Sequence, residues 1–95
     1  MPKDLVLHLK REYFELIVDG LKPYEYRKKT PYWIKRLVGK DYNNLILWLG
    51  YPKKTEIDKR MVFKYRGYYD ISITHKEFGS NPEDVFAIIL DERLD

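Results

Sequence analysis

Residues 45–49 read Leu-Ile-Leu-Trp-Leu, an unbroken apolar run closed by Gly50-Tyr51-Pro52. A run this short, bounded by turn residues and lacking a polar face, predicts a strand at the centre of a sheet. The rest of the chain has to supply its partners. Residues 5–9 (Leu-Val-Leu-His-Leu) predict a strand apolar on both faces and therefore buried, and residues 85–90 (Val-Phe-Ala-Ile-Ile-Leu) predict a last buried strand. Residues 24–29 alternate, with Tyr24, Tyr26 and Lys28 on one face and Glu25 and Arg27 on the other. Residues 61–66 and 68–74 predict two more strands split by Gly67 as a turn or bulge, and Gly79-Ser80-Asn81-Pro82 predicts a turn.

Two helical patterns interrupt the strands. Over 11–19, Phe14, Ile17 and Val18 form an i, i+3, i+4 stripe with Tyr13 beside it, and Gly20 stands where a left-handed cap is needed. Thr30-Pro31 predicts an N-cap with proline in the first turn, followed by an apolar face of Trp33, Ile34, Leu37 and Val38 and a stop at Gly39. The expected order is β-α-β-α-β-β-β-β. Few crossovers are available among the later strands, so antiparallel and mixed pairing is expected. The fold class is α+β: a strongly curved mixed sheet or small open β-barrel with two short helices, in one domain over residues 1–95.

The chain has no cysteine, which excludes a structural disulfide and a thiolate zinc site. It shows no signal-peptide pattern and no apolar run approaching a bilayer span, so a cytoplasmic protein without a membrane partner is expected. The net charge of +3 is unevenly spread: residues 22–40 hold seven Lys/Arg against Glu25, and 53–66 hold six against two acids. Residues 70–95 hold two Lys/Arg against seven acids. Two basic stretches beside an acidic third suggest an anionic partner, although clustered solvated charge gives the same pattern.

The segment Gly20-Leu21-Lys22-Pro23-Tyr24-Glu25-Tyr26-Arg27 joins the first helix to the second strand. Glycine frees the turn, and Pro23 holds Lys22 extended. Glu25 and Arg27 project to the same side two residues apart, so an ammonium, a carboxylate and a guanidinium issue from one stiffened stretch. A lysine there is a base only if burial or a nearby cation lowers its pKa; Arg27 would do so, and Glu25 would oppose it. An ion-pair cluster pinning the turn, a ligand contact and a catalytic pair all remain open.

From Leu7 to Arg27 the chain reads Leu-x-Leu-x-x-Glu-Tyr-Phe-x-x-Ile-x-x-Gly-x-Lys-x-x-Glu-x-Arg. This resembles the signature of the ASCH domains of the PUA-like superfamily, whose core Gly-x-Lys-x-x-Glu-x-Arg falls on Gly20, Lys22, Glu25 and Arg27. The detailed likeness covers about the first 30 residues; the later strands agree in pattern. It implies a small PUA-like barrel with packed helices, a cleft lined by the motif, and roles in RNA binding, modification or cleavage. Some ASCH relatives are amidohydrolases of acylated cytidine nucleosides. That subgroup carries threonine where this chain has Glu25, and uses a further carboxylate late in the chain.

Arg27-Lys28-Lys29 with Tyr24, Tyr26 and Tyr32, and Lys59-Arg60 with Tyr65, Arg66, Tyr68 and Tyr69, resemble a surface that binds phosphates and stacks bases. Cross-strand tyrosine pairs and edge-guarding lysines would read the same way. His8 is expected in the core or at a barrel edge, and His75 near a strand end. No ligand pair has metal-site spacing, no cofactor is implied, and Ser72 and Ser80 sit in no nucleophile elbow. Three functions follow. The first is an RNA- or nucleotide-binding module using Lys22, Tyr24, Glu25, Arg27, Lys28, Lys29 and Arg60, with Lys35 and Arg36 also set to neutralise phosphate. The second is a metal-independent hydrolase of RNA or a modified nucleoside, with Lys22 as base or nucleophile and Glu25 as proton shuttle. The third is an interaction domain using Asp91, Glu92 and Asp95.

Overall fold

A computed structural model describes residues 3–53, 55–75 and 79–95. Along the chain run β1 (Lys3–Leu9), α1 (Arg11–Val18), β2 (Tyr24–Lys28), α2 (Pro31–Leu37), β3 (Tyr42–Leu49), β4 (Arg60–Lys64), β5 (Tyr68–His75) and β6 (Gly79–Ile89), with one 3₁₀ turn over Ile57–Lys59. The fold is α+β, with the element order expected from the pattern. The strands divide between two three-stranded sheets, β1-β3-β4 and β2-β6-β5, and among the described residues no ladder closes them into a barrel. β1 pairs parallel with β3, while the other three ladders are antiparallel.

The apolar run in β3 takes the centre of its sheet, with Leu45 and Leu47 fully buried. β1 differs from expectation. It is an edge strand, with Leu5, Leu7 and Leu9 turned into the core and His8 exposed on the other face. In the second sheet β6 is central and contributes Phe86 and Ile88 to the core; Leu90, just past its end, does so too. Phe14 and Ile17 of α1 and Leu37 of α2 join the same cluster, so one core lies between the two sheets.

The helices bury narrower stripes than the sequence suggests. Val18 of α1 and Ile34 and Val38 around α2 are solvent-exposed, and Trp33 is half-buried. Helices of eight and seven residues offer barely two turns, so only the side chains aimed at the sheets are covered. α1 ends as the glycine predicts. Gly20 has φ 73°, its N–H reaches Ile17 O at 3.0 Å, and Leu21 N–H reaches Leu16 O at 2.9 Å, a Schellman closure. Thr30 caps α2 by accepting from Trp33 N–H at 3.4 Å.

Gly67 (φ 88°), expected as a turn or bulge between two strands, stands where the chain crosses between the sheets that hold β4 and β5. One turn reading is corrected. Gly79–Pro82 is not a turn but the start of β6, with Gly79 opposite His75. Proline is tolerated because the register shifts between Ile73 and His75, and β2 pairs only with Val85–Ile89. Residues 76–78 and the reading of the His75 side chain lie outside the described residues.

Truncation at the centre of the core should therefore be costly and truncation of the misread positions cheap. Leu47→Ala is expected to lower unfolding free energy by about 2–5 kcal/mol in urea titrations, and Val18→Ala by less than about 0.5 kcal/mol. Desolvation pushes the Tyr65 hydroxyl up to about 12 from 10.0, with the nearby Tyr68, Tyr42 and Asp41 adding to it. Its folded-state value lies above its unfolded one, so its contribution to stability is complete below pH 10 and fades as pH rises toward about 12. Phenolate absorbance should show one late-titrating tyrosine that Tyr65→Phe removes.

Candidate functional site

The strand-helix-turn-strand sequence from β1 to β2 wraps around one hollow. The end of β1 leads directly into α1, and the Schellman closure at Gly20 turns the chain back. Pro23 O then accepts Leu90 N–H at 3.0 Å, anchoring the turn to the end of β6. β2 is an edge strand whose Glu25 and Arg27 stand opposite Ile88 and Phe86, so both point to the core side of their sheet.

There Glu25 is the one buried charged residue among those described, 6% exposed. Burial of a lone carboxylate is prohibitive, and the same segment supplies two counter-charges. Lys22 Nζ donates to Glu25 Oε1 at 2.6 Å, and Arg27 Nη2 lies 2.9 Å from Oε2. Arg27 Nη2 also donates to His8 O at 3.3 Å, linking edge strand β2 to edge strand β1 where no ladder joins the sheets. The cations rest on aromatic faces: Lys22 Nζ sits 4.8 Å from the Tyr13 centroid and 5.4 Å from Tyr26, and the Arg27 guanidinium 5.1 Å from Trp33.

The three charged tips converge and also line an open cavity of about 320 Å³ with His8, Tyr13, Tyr26 and Trp33. Two cations against one carboxylate leave a surplus positive charge on its wall. The volume falls at the lower end of the range for small-molecule pockets. With aromatic rings beside cations, the hollow suits a flat, hydrogen-bonding anion. Among the described residues no group of three His, Asp or Glu side chains could hold a metal ion.

The predicted site residues do not all gather here. Lys22, Glu25, Arg27 and Lys28 line the cavity. Tyr24 lies on the opposite face of the sheet, edge-on to Tyr69 at 6.0 Å. Lys29 Nζ is 2.8 Å from Asp70, and that hydrogen bond raises its ammonium above the ordinary lysine value. Arg60 belongs to the other sheet, where its guanidinium covers Trp48 at 5.7 Å. Of the further phosphate candidates, Lys35 is exposed in the last turn of α2, and Arg36 lies 5.1 Å from the Tyr32 centroid.

Sequence reasoning missed His8, Tyr13 and Trp33 as cavity residues. A usable signal existed for Tyr13: a first-turn aromatic in a helix that directly follows a strand sits at that strand's C-terminal end. The acidic tail is committed to its own chain. Asp91 and Glu92 pair with Arg66, Asp95 accepts from Val62 N–H, and the segment runs along the edge of β4. Searches of family models, curated proteins and solved structures returned no match to this chain.

The Glu25 cluster is a structural unit whatever the cavity holds. Glu25→Gln keeps the shape but removes the charge that both cations face, and is expected to cost about 3 kcal/mol of stability in denaturant melts. In a double-mutant cycle with Lys22→Met, the losses should be clearly sub-additive, because the second change removes one cation the first left unpaired.

Proposed function

We propose that this chain is an ASCH-like domain of PUA-like fold, its two sheets forming the halves of an open barrel, and that it binds a nucleotide, free or within RNA, in the cavity beside Lys22, Glu25 and Arg27. The reading is supported by one observation above the others: Lys22, Glu25 and Arg27, the charged residues of the Gly-x-Lys-x-x-Glu-x-Arg pattern, converge on the wall of a roughly 320 Å³ hollow that also presents three aromatic rings. The rings favour a base, and the surplus cation favours its phosphate. In this reading the domain works in the cytoplasm on RNA. No described helix is long and apolar enough to cross a membrane.

The geometry favours binding over hydrolysis. Lys22 Nζ is engaged by Glu25 and two tyrosine faces, which turns it away from attack on a substrate. Glu25 has both oxygens engaged, which leaves it without the freedom of a proton shuttle.

Fluorescence anisotropy with short single-stranded RNA should show affinity falling with salt, with a log–log slope of about −0.7 per phosphate contacted. Lys22→Ala should weaken binding about tenfold and make the slope shallower, with an unchanged circular dichroism spectrum. No binding to any RNA pool at low salt, or binding insensitive to salt, overturns the reading. Turnover of RNA or acylated cytidine that persists in chelator and vanishes in Lys22→Ala would replace it with hydrolysis.

A further inference from the structure

Tyr51 is 86% exposed, yet it is not a loose side chain. Its ring stacks on His8 with centroids 4.1 Å apart and planes 17° from parallel. His8 is itself held. Its Nδ1 lies 2.7 Å from Gly50 O, the partner of an Nδ1–H donor, and Gly50 N–H donates to Leu9 O at 2.8 Å. The loop after β3 is thereby tied to the end of β1, and one face of an oriented tyrosine ring remains open to solvent. Ordering an exposed ring is a cost that a stacking partner usually meets on binding; here it is met beforehand.

This ledge separates two hollows. On one side lies the cavity described above, with His8 in its wall. On the other lies a groove of about 500 Å³ lined by Lys10, Arg11, Tyr51, Lys53, Glu56 and Lys59, among others. Leu9 and Lys10 form a wall common to both. The groove carries four cations and one acid. Lys59 is committed, with Nζ 2.8 Å from Glu56, a contact that raises its ammonium above the ordinary lysine value. Arg11 makes a long, exposed pair with Glu15 at 3.4 Å. Lys53 therefore sets positive charge next to a prepared aromatic face.

We infer that the groove beyond the His8–Tyr51 stack is a second nucleotide subsite, so that the ligand is a single-stranded RNA segment of at least two nucleotides crossing from cavity to groove. This rests on the nucleotide-binding reading of the cavity and extends it. The chain crosses over Lys10, a neighbouring base stacks on the open face of Tyr51, and its phosphates lie along Arg11 and Lys53. Alternating ring and cation is what sequence-tolerant single-strand binding requires.

The test compares a nucleoside monophosphate with RNA of two, four and six nucleotides, on wild type, Tyr51→Ala, Tyr51→Phe and Lys53→Ala. In wild type, the oligomers should bind at least tenfold tighter than the monophosphate. Tyr51→Ala should weaken oligomer binding about five- to 150-fold and leave the monophosphate unchanged. Tyr51→Phe should retain wild-type affinity, and Lys53→Ala should reduce the salt slope for oligomers only. If wild type binds monophosphate and oligomers equally, or Tyr51→Ala leaves oligomer binding intact, the second subsite is overturned while the cavity reading stands. Equal weakening of both ligands by Tyr51→Ala also overturns it, since the ring would then act through His8 on the cavity. Wild type binding neither ligand overturns both.

Discussion

A carboxylate taken out of water must be neutralised where it lies, and in this protein Glu25 imposes that condition on everything around it. Its two counter-charges come from the same turn and strand, Lys22 three residues before it and Arg27 two residues after. Because Arg27 also reaches the His8 carbonyl, neutralising Glu25 and holding the edges of the two sheets together are one task. The pairing is not a net source of stability by itself, since desolvation of the ions offsets much of the attraction. Its value is geometric: it fixes where three charged groups sit.

That geometry leaves a hollow rather than a plug. Lys22 and Arg27 extend along the aromatic faces of Tyr13, Tyr26 and Trp33, so their stems and rings line the cavity while their charged ends meet at Glu25. A structural ion-pair cluster and a ligand-facing wall are usually weighed as rival explanations of such residues. Here the same residues form the ion-pair cluster and line the cavity. The cluster keeps one positive charge in excess, which is the electrostatic condition for receiving a monoanion.

Elsewhere the basic surface implied by the sequence is largely neutralised within the chain. Lys29 meets Asp70, Lys28 lies 3.7 Å from Glu83, Lys59 meets Glu56, and Arg66 meets Asp91 and Glu92. The acidic C-terminal third thus folds back on the basic stretches, partly as a strand-edge cover along β4. Beside the cavity and the groove next to it, Tyr51 offers an ordered ring.

Local physics made much of this legible from the sequence. The apolar run 45–49 determined a central strand, Gly20 and Thr30 determined the helix ends, and the alternation in 24–28 put Glu25 and Arg27 on one face, because each depends on chain geometry within a few residues. The tertiary structure alone decided what those elements meet. Whether His8 lay in the core or at an edge was decided when β1 became an edge strand, and Val18, Ile34 and Val38 looked like core until the sheets covered only part of each helix. Gly79–Pro82 looked like a turn until a register shift beside an unpaired stretch of β6 made room for proline. The convergence of His8, Tyr13, Trp33 and the Glu25 cluster on one hollow was likewise beyond local reading, since it depends on how two separate sheets face each other across a shared core.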